Sequence, residues 1–232
     1  MAAAHSSSFL ARTSLVESLA QFRTADAEWA RRELDPRPAL ATGWAELDSV
    51  LPDHGFVHGV TELTAPLAHG GGTSLAIAAI AAALKRDAQT WAAWVDPQGS
   101  LYAPALAQAG VDLARLLVVR PPPSEVRQVA VKLAASTAFS VVVVDHFAAV
   151  FGRGSHKADE LFVRKLSIEP CVSLLLTDQH TPRSGSLPTA LRLELSRRPD
   201  AITVRVAKDR MGRAGTLKTV PLRTRPSLTV AA

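Results

Sequence analysis

Five near-continuous apolar runs, four of them followed by a stretch of helical character, constrain the fold of this chain more than any other feature. The runs are "GVTELTA" (59–65), "QTWAAWVD" (89–96), "ARLLVV" (114–119), "FSVVVVDHF" (139–147) and "CVSLLLTDQ" (171–179). The helical stretches cover 73–86, about 102–110, 124–136 and a segment near 157–166. Strands buried on both faces of a parallel sheet read as unbroken Val/Leu runs, because neither face meets water. The tail changes character: "ALRLELSRR", "AITVRVAKDR" and "TLKTVPLR" alternate apolar and polar residues, with turns at "PD" (199–200) and "GRAG" (212–215). That pattern marks strands with one wet face, joined as hairpins. The expectation is an α/β core with a mostly parallel central sheet, flanking helices and C-terminal antiparallel hairpins.

Ahead of this core, residues 14–34 read as an amphipathic helix. Ser14 and Glu17 fit a capping box, and Leu15, Leu19, Phe22 and Trp29 form an apolar stripe. Pro36 and Pro38 end it. The boundaries follow: an N-terminal arm and linker over 1–38, and a core domain over 39–232. The stripe either folds back on its own core or docks on a partner as a helix in a groove. With 232 residues the chain can bury one full core. Its longest apolar run, Leu75 to Leu84, is too short to span a bilayer, and the N-terminus has no basic segment followed by an apolar one. The single cysteine, Cys171, sits in an apolar run and reads as a buried structural thiol. A cytoplasmic protein without a membrane partner is the expectation.

The charge is concentrated. Between Arg183 and Arg225 stand eleven Lys or Arg against Glu194, Asp200 and Asp209, a local net of +8 in a chain whose total is +5. A basic segment of this kind is either a solvated strand face or a surface for an anionic partner, nucleic acid or acidic protein.

One stretch carries the outline of a phosphate-binding loop. "TAPLAHGGGTSLAIAA" (64–79) runs from a strand through Gly70, Gly71 and Gly72 to Thr73, Ser74 and a helix. Glycines let backbone N–H groups converge on phosphate, a lysine reaches the outer phosphates, and a hydroxyl holds Mg²⁺. Here Gly72 stands in the lysine's place, and Lys85 lies three helical turns on. A cation about 4 Å from a phosphate charge contributes about 4 kcal/mol at an effective dielectric of about 20, roughly three powers of ten. Without it, the segment reads as a tight strand-to-helix turn. Other constellations are weaker still. Asp53, His54 and His58 lie among Pro52, Gly55 and Gly59, which exclude the helix that an i, i+4 metal pair needs, so no metal is expected. His146 reads as a strand-end polar residue.

"GWAELDSVLPDHGFVHGVTEL", the glycine loop, "WAAWVDPQGSLYAPALAQAGVDLARLLVVRPP", "VVVVDHFAAV", "LLLTDQH" and "VRVAKDRMGRAG" resemble the RecA core, in its order, over about residues 40–222. Within that group, "APALAQAGVDLARLLVV" and "TGWAELDSVLP" are most similar to the ImuA family, accessory proteins of bacterial mutagenic translesion synthesis. The resemblance implies a nucleotide site, and the chain departs from it at three points. Gly72 replaces the lysine, Gln98 stands where RecA has its general-base glutamate, and Ala105 stands where RecA stacks adenine. An amide cannot accept a proton, so the resemblance implies no catalytic residue and no cofactor here. Asp145, at the metal-holding aspartate position, and Gln179, at the γ-phosphate sensor position, remain as relics.

The two DNA-reading loops of RecA are shortened to "GRGSHK" (152–157) and "HTPRSGSLPTAL" (180–191). Arg205, Lys208, Arg210 and Arg213 fall where the RecA hairpin meets a neighbouring subunit, and with Arg192 and Arg183 they are candidates for DNA or partner contact. The partners implied are RecA, an ImuB-like relative of Y-family polymerases and an error-prone replicative polymerase. Two alternatives stand beside this: a SulA-like cell-division inhibitor acting on FtsZ, and a RecA-type ATPase whose lysine is supplied from elsewhere.

Overall fold

Each apolar run forms a strand, and all of the strands share one sheet. The computed structural model describes residues 39–51, 53–66, 70–145, 156–180, 187–210 and 212–221. The expected arm, with Leu15, Leu19, Phe22 and Trp29, lies outside the described residues, as do His146 and Arg183. In chain order the strands are β1 (Gly59–Ala65), β2 (Trp91–Val95), β3 (Leu116–Val119), β4 (Phe139–Val144), β5 (Val172–Asp178), β6 (Leu191–Arg197), β7 (Ala201–Asp209) and β8 (Leu217–Pro221). The helices are α1 (Ala45–Asp48), α2 (Gly72–Arg86), α3 (Ala103–Gln108), α4 (Val126–Ala135) and α5 (His156–Ser167). The eight strands are ordered β3-β2-β4-β5-β1-β6-β7-β8. Pairing is parallel from β3 through to β6 and antiparallel for β6 with β7 and β7 with β8. The α/β fold class, mostly parallel with antiparallel strands at the C-terminus, is as expected from the sequence.

Two apolar layers enclose the sheet. On one face Leu63, Trp94, Val143, Leu174, Leu193 and Ile202 pack with Leu75, Ala79, Ile80 and Ala83 of α2. The small alanines of α2 let its backbone lie close to the strands, while Leu75 and Ile80 fill the space between. On the other face Val60, Ala93, Val142, Val144 and Leu175 pack with Val126, Ala130 and Ala134 of α4 and with Phe162, Val163 and Leu166 of α5. This explains the unbroken runs in β2, β4 and β5, which are covered on both sides.

The reversal of direction comes later than the alternation suggests. "ALRLELSRR" reads as part of an antiparallel extension, yet β6 pairs in parallel with β1, Thr61 opposite Leu191 and Leu63 opposite Leu193. Alternation reports one-sided burial, not direction. Leu191, Leu193 and Leu195 of β6 face the α2 layer, while Arg192 and Glu194 alternate with them. A second difference lies before β3. The expected strand 114–119 begins as a 3₁₀ turn over Leu113–Arg115, because the Asp112 side chain accepts from the Ala114 N–H at 3.0 Å and tightens the chain.

Cys171 is fully buried at the start of β5, as its apolar setting implies. Burial pushes its thiol up to about 11 from an ordinary 9.0. Between those values an unfolded chain has lost the proton and the native chain has kept it, so stability falls as pH rises through that window. The native thiol is expected to resist a thiol reagent such as DTNB at pH 8, and to react only as fast as the protein unfolds. Rapid labelling without unfolding contradicts this.

Candidate functional site

The strand order places the glycine loop at the carboxyl end of the central strand β1, flanked by β5 and β6. Gly70 and Gly71 are required there. A Cβ on Gly70 falls 2.1 Å from Ala65 Cβ and 2.7 Å from the Pro66 carbonyl oxygen. Gly71 holds φ at +85°, and a Cβ on it falls 2.6 Å from Ile202 Cδ1. Gly72 differs, for a Cβ there meets nothing closer than 3.8 Å. The backbone at Gly72 therefore has room for a side chain such as lysine.

The helix α2 opens at Gly72 with no side-chain cap, so its first N–H groups face the loop. A cavity of about 130 Å³ sits against them, lined among others by Gly70, Gly71, Gly72, Thr73, Ser74, Asp145, Asp178 and Arg197. Asp145 is buried, and its Oδ2 accepts from the indole Nε1 of fully buried Trp94 at 3.2 Å. That contact gives the retained aspartate a structural role at the end of β4. Gln179 lies exposed beyond β5, its Nε2 3.1 Å from His180 Nε2, and does not line the cavity. Gln98 is exposed in the turn after β2. Asp96, two residues earlier, holds that turn by accepting from the N–H groups of Ser100 at 3.0 Å and Leu101 at 3.1 Å. Lys85 lies in the last turn of α2, thirteen residues beyond Gly72 and so about 20 Å along the axis. It cannot serve as a displaced loop lysine within one chain. The geometry offers Arg197 instead, at the end of β6, half a sheet away in sequence terms and adjacent in space. Nothing in the sequence spacing singles out Arg197. Only the placement of β6 beside β1 brings it to the cavity.

The basic hairpin is not an open basic face. Glu62, fully buried in β1, stands opposite Arg192 in β6, and Arg192 stands opposite Lys208 in β7. One pleat along, Thr64 stands opposite Glu194, and Glu194 opposite Arg205. Two polar rows therefore cross the sheet. Glu62 Oε1 accepts from Thr177 Oγ1 at 2.9 Å and Thr64 Oγ1 at 3.2 Å, and Oε2 lies 3.9 Å from Arg192 Nε. Arg205 pairs with Glu194 through Nε at 2.9 Å and through Nη2. Lys208 Nζ donates to the Leu187 carbonyl at 2.6 Å; burial lowers its pKa, with Glu62 opposing that shift. Arg213 donates from Nε to Asp209 at 2.7 Å and from Nη2 to Asp53 at 2.9 Å. Arg210 is exposed at the end of β7.

Four of the candidate cations, Arg192, Arg205, Lys208 and Arg213, thus hold partners within the chain. Their partners Glu62 and Asp53 come from the other end of the chain, which a local count of charges misses. A signal for Glu62 exists in hindsight: a carboxylate inside an apolar strand must be paired to be tolerated. Asp53 is spent on Arg213, and His54 sits in a turn with φ of 56°, so the Asp53–His54–His58 segment has no helical ligand geometry.

Two comparisons with known proteins bear on the chain. Residues 49–162, just under half of it, are similar to a family described as the MT3502 N-terminal domain. That stretch runs from the end of α1 through the glycine loop and into α5, so it takes in the cavity's loop, Asp145 and the β1 members of the ionic rows, Glu62 and Thr64, but neither Arg197 nor the row members on β6 and β7. No curated protein matches the chain.

Proposed function

We propose that this protein is a non-catalytic, RecA-like accessory protein of the ImuA type in the bacterial DNA-damage response. It links or modulates RecA, an ImuB-like polymerase relative and an error-prone replicative polymerase through protein contacts. The observation that carries the reading is the glycine loop itself: shape retained, room for a side chain at Gly72, and no lysine there. The eight-stranded sheet with its reversed C-terminal strands supports the RecA-like part. Gln98 and Ala105, where the resemblance expects a base and a stacking ring, support the non-catalytic part. Among the described residues no helix is long and apolar enough to cross a membrane. Direct DNA contact through the hairpins is a lesser part of the proposal, since Arg192, Arg205 and Arg213 already hold acids.

The test is capture of purified RecA by the full chain and by a chain lacking residues 1–38, with FtsZ GTPase measured alongside. RecA is expected on the full chain only, with FtsZ turnover unchanged. Inhibition of FtsZ without RecA capture turns the assignment to the SulA-like alternative.

Arg197 favours a second reading. It lines the cavity and pairs with no acid among the described residues, so it is placed to supply the charge that Gly72 lacks. On that reading the chain is a RecA-type ATPase with a non-standard loop, and turnover must vanish in Arg197→Ala.

A further inference from the structure

A run of unpaired positive charge lies on α5, outside the hairpin that the sequence singles out. The helix buries Phe162, Val163 and Leu166 in the layer it shares with α4. Lys157, Leu161, Arg164 and Lys165, at spacings of four, three and one, fall on its opposite side, and all four are exposed. The helix has two acids, and both are spent elsewhere. Asp159 is buried and accepts from Arg127 Nη2 of α4. Glu160 stands four residues before Arg164, the spacing of a helical ion pair, yet its Oε1 lies 3.5 Å from His156 Nδ1. The next acid, Glu169, lies beyond the end of the helix. Lys157, Arg164 and Lys165 pair with no acid among the described residues. Folding accounts for part of this charge. Arg164 and Lys165 stand in the last turn, where cations favour the helix dipole, but Lys157 stands in the first turn, where a cation opposes it. Leu161, 48% exposed, sits amid the three. A lone exposed leucine is ordinary; one ringed by unpaired cations is not.

We propose that this ridge of α5 docks an acidic segment of a partner protein. The segment sets an apolar side chain on Leu161 and carboxylates against Lys157, Arg164 and Lys165. Charge complementarity selects the sign of the partner, and the leucine selects its class. Protein interfaces keep an apolar, water-excluded centre within a polar rim. A nucleic-acid backbone is held by contacts to its phosphates and gains nothing from an apolar side chain at their centre. A second copy of the chain is disfavoured, since a two-fold axis that lays two such ridges together brings cations against cations. The proposal does not depend on the glycine-loop cavity and stands under either reading of it.

The test is a peptide library displayed on phage and selected against the full chain, with the enriched peptides then titrated onto variants. Peptides that carry an apolar residue among several Asp or Glu are expected. Their affinity is expected to fall at least about tenfold in the triple replacement Lys157→Gln, Arg164→Gln, Lys165→Gln, and also to fall in Leu161→Ala and with added salt. Gln and Ala suit a helix and all four sites are exposed, so melting temperatures are expected to stay close to that of the parent. Absence of acidic peptides among those enriched, or binding that the triple replacement leaves unchanged, overturns the proposal. So does a single-stranded oligonucleotide whose binding is lost in the triple replacement and unaltered in Leu161→Ala, which assigns the ridge to nucleic acid. A dimer by light scattering that the triple replacement disperses also overturns it, in favour of a second copy.

Discussion

Replacing Glu62 with Ala is expected to lower the melting temperature by roughly 6–12 °C, followed by circular dichroism, because it removes the buried acid that faces Arg192 and Lys208 and leaves Arg192 with Glu194 alone. Glu62 is 1% exposed, while the side chain of Arg192 is 28% exposed. Removing one partner of a fully buried pair costs about 3–5 kcal/mol, and the partial exposure of Arg192 places this case near the lower figure. A domain of this size loses about 2–4 °C per kcal/mol. The register explains why the loss spreads. Glu62, Arg192 and Lys208 occupy one row across three strands, and burial already disfavours the charge on Lys208, with Glu62 opposing that effect. The Thr177 and Thr64 hydroxyls lose their acceptor too. Glu62→Gln keeps an oxygen for those hydroxyls and is expected to fall between parent and Glu62→Ala. A double replacement, Glu62→Leu with Arg192→Leu, is expected to recover part of the loss, since it no longer leaves Arg192 facing an empty place while Lys208 still lacks Glu62. If Glu62→Ala melts within 2 °C of the parent, the ionic rows do not hold β6 and β7 to β1.

The second large effect is a gain. Gly72→Lys is expected to create binding of a nucleoside triphosphate with magnesium, tighter than the parent by roughly 10²–10³-fold, as a loop cation contributes about 4 kcal/mol at an effective dielectric of about 20. The substitution fits because a Cβ at Gly72 meets only ordinary contacts at 3.8 Å and beyond, with a helical backbone already in place. The same change at Gly71 is expected to unfold the loop, where φ is +85° and an added Cβ falls 2.6 Å from Ile202 Cδ1. Hydrolysis is not expected from Gly72→Lys, because Gln98, where the RecA resemblance expects the base, is an amide that cannot accept a proton and lies exposed in its turn. Binding gained without turnover separates the two missing parts of the site. No gain on calorimetric titration means that the cavity has lost more than the lysine.

Much of this architecture was written plainly in the residues. The runs "WAAWV" and "FSVVVV" declare strands covered on both faces, and the glycines before an alanine-rich stretch mark the start of α2. Asp145 and Gln179 stand out in the sequence by motif position alone, and the structure adds what each side chain touches. Other features had no local signal. The direction of β6 depends on which strand it joins, and alternation is silent on that. Arg213 finds Asp53 across a separation of 160 residues, and no count of nearby charges reveals such a pair. Arg197 is one cation among eleven in the basic segment until the fold sets it at the cavity.

Equilibrium titration of the unaltered protein with a non-hydrolysable ATP analogue and magnesium tests most directly the proposal that the glycine-loop cavity binds no nucleotide. Heat indistinguishable from dilution, and an unchanged melting temperature at millimolar analogue, are the expected results. Saturable micromolar binding that Arg197→Ala abolishes contradicts the account and makes the arginine a working substitute for the missing lysine.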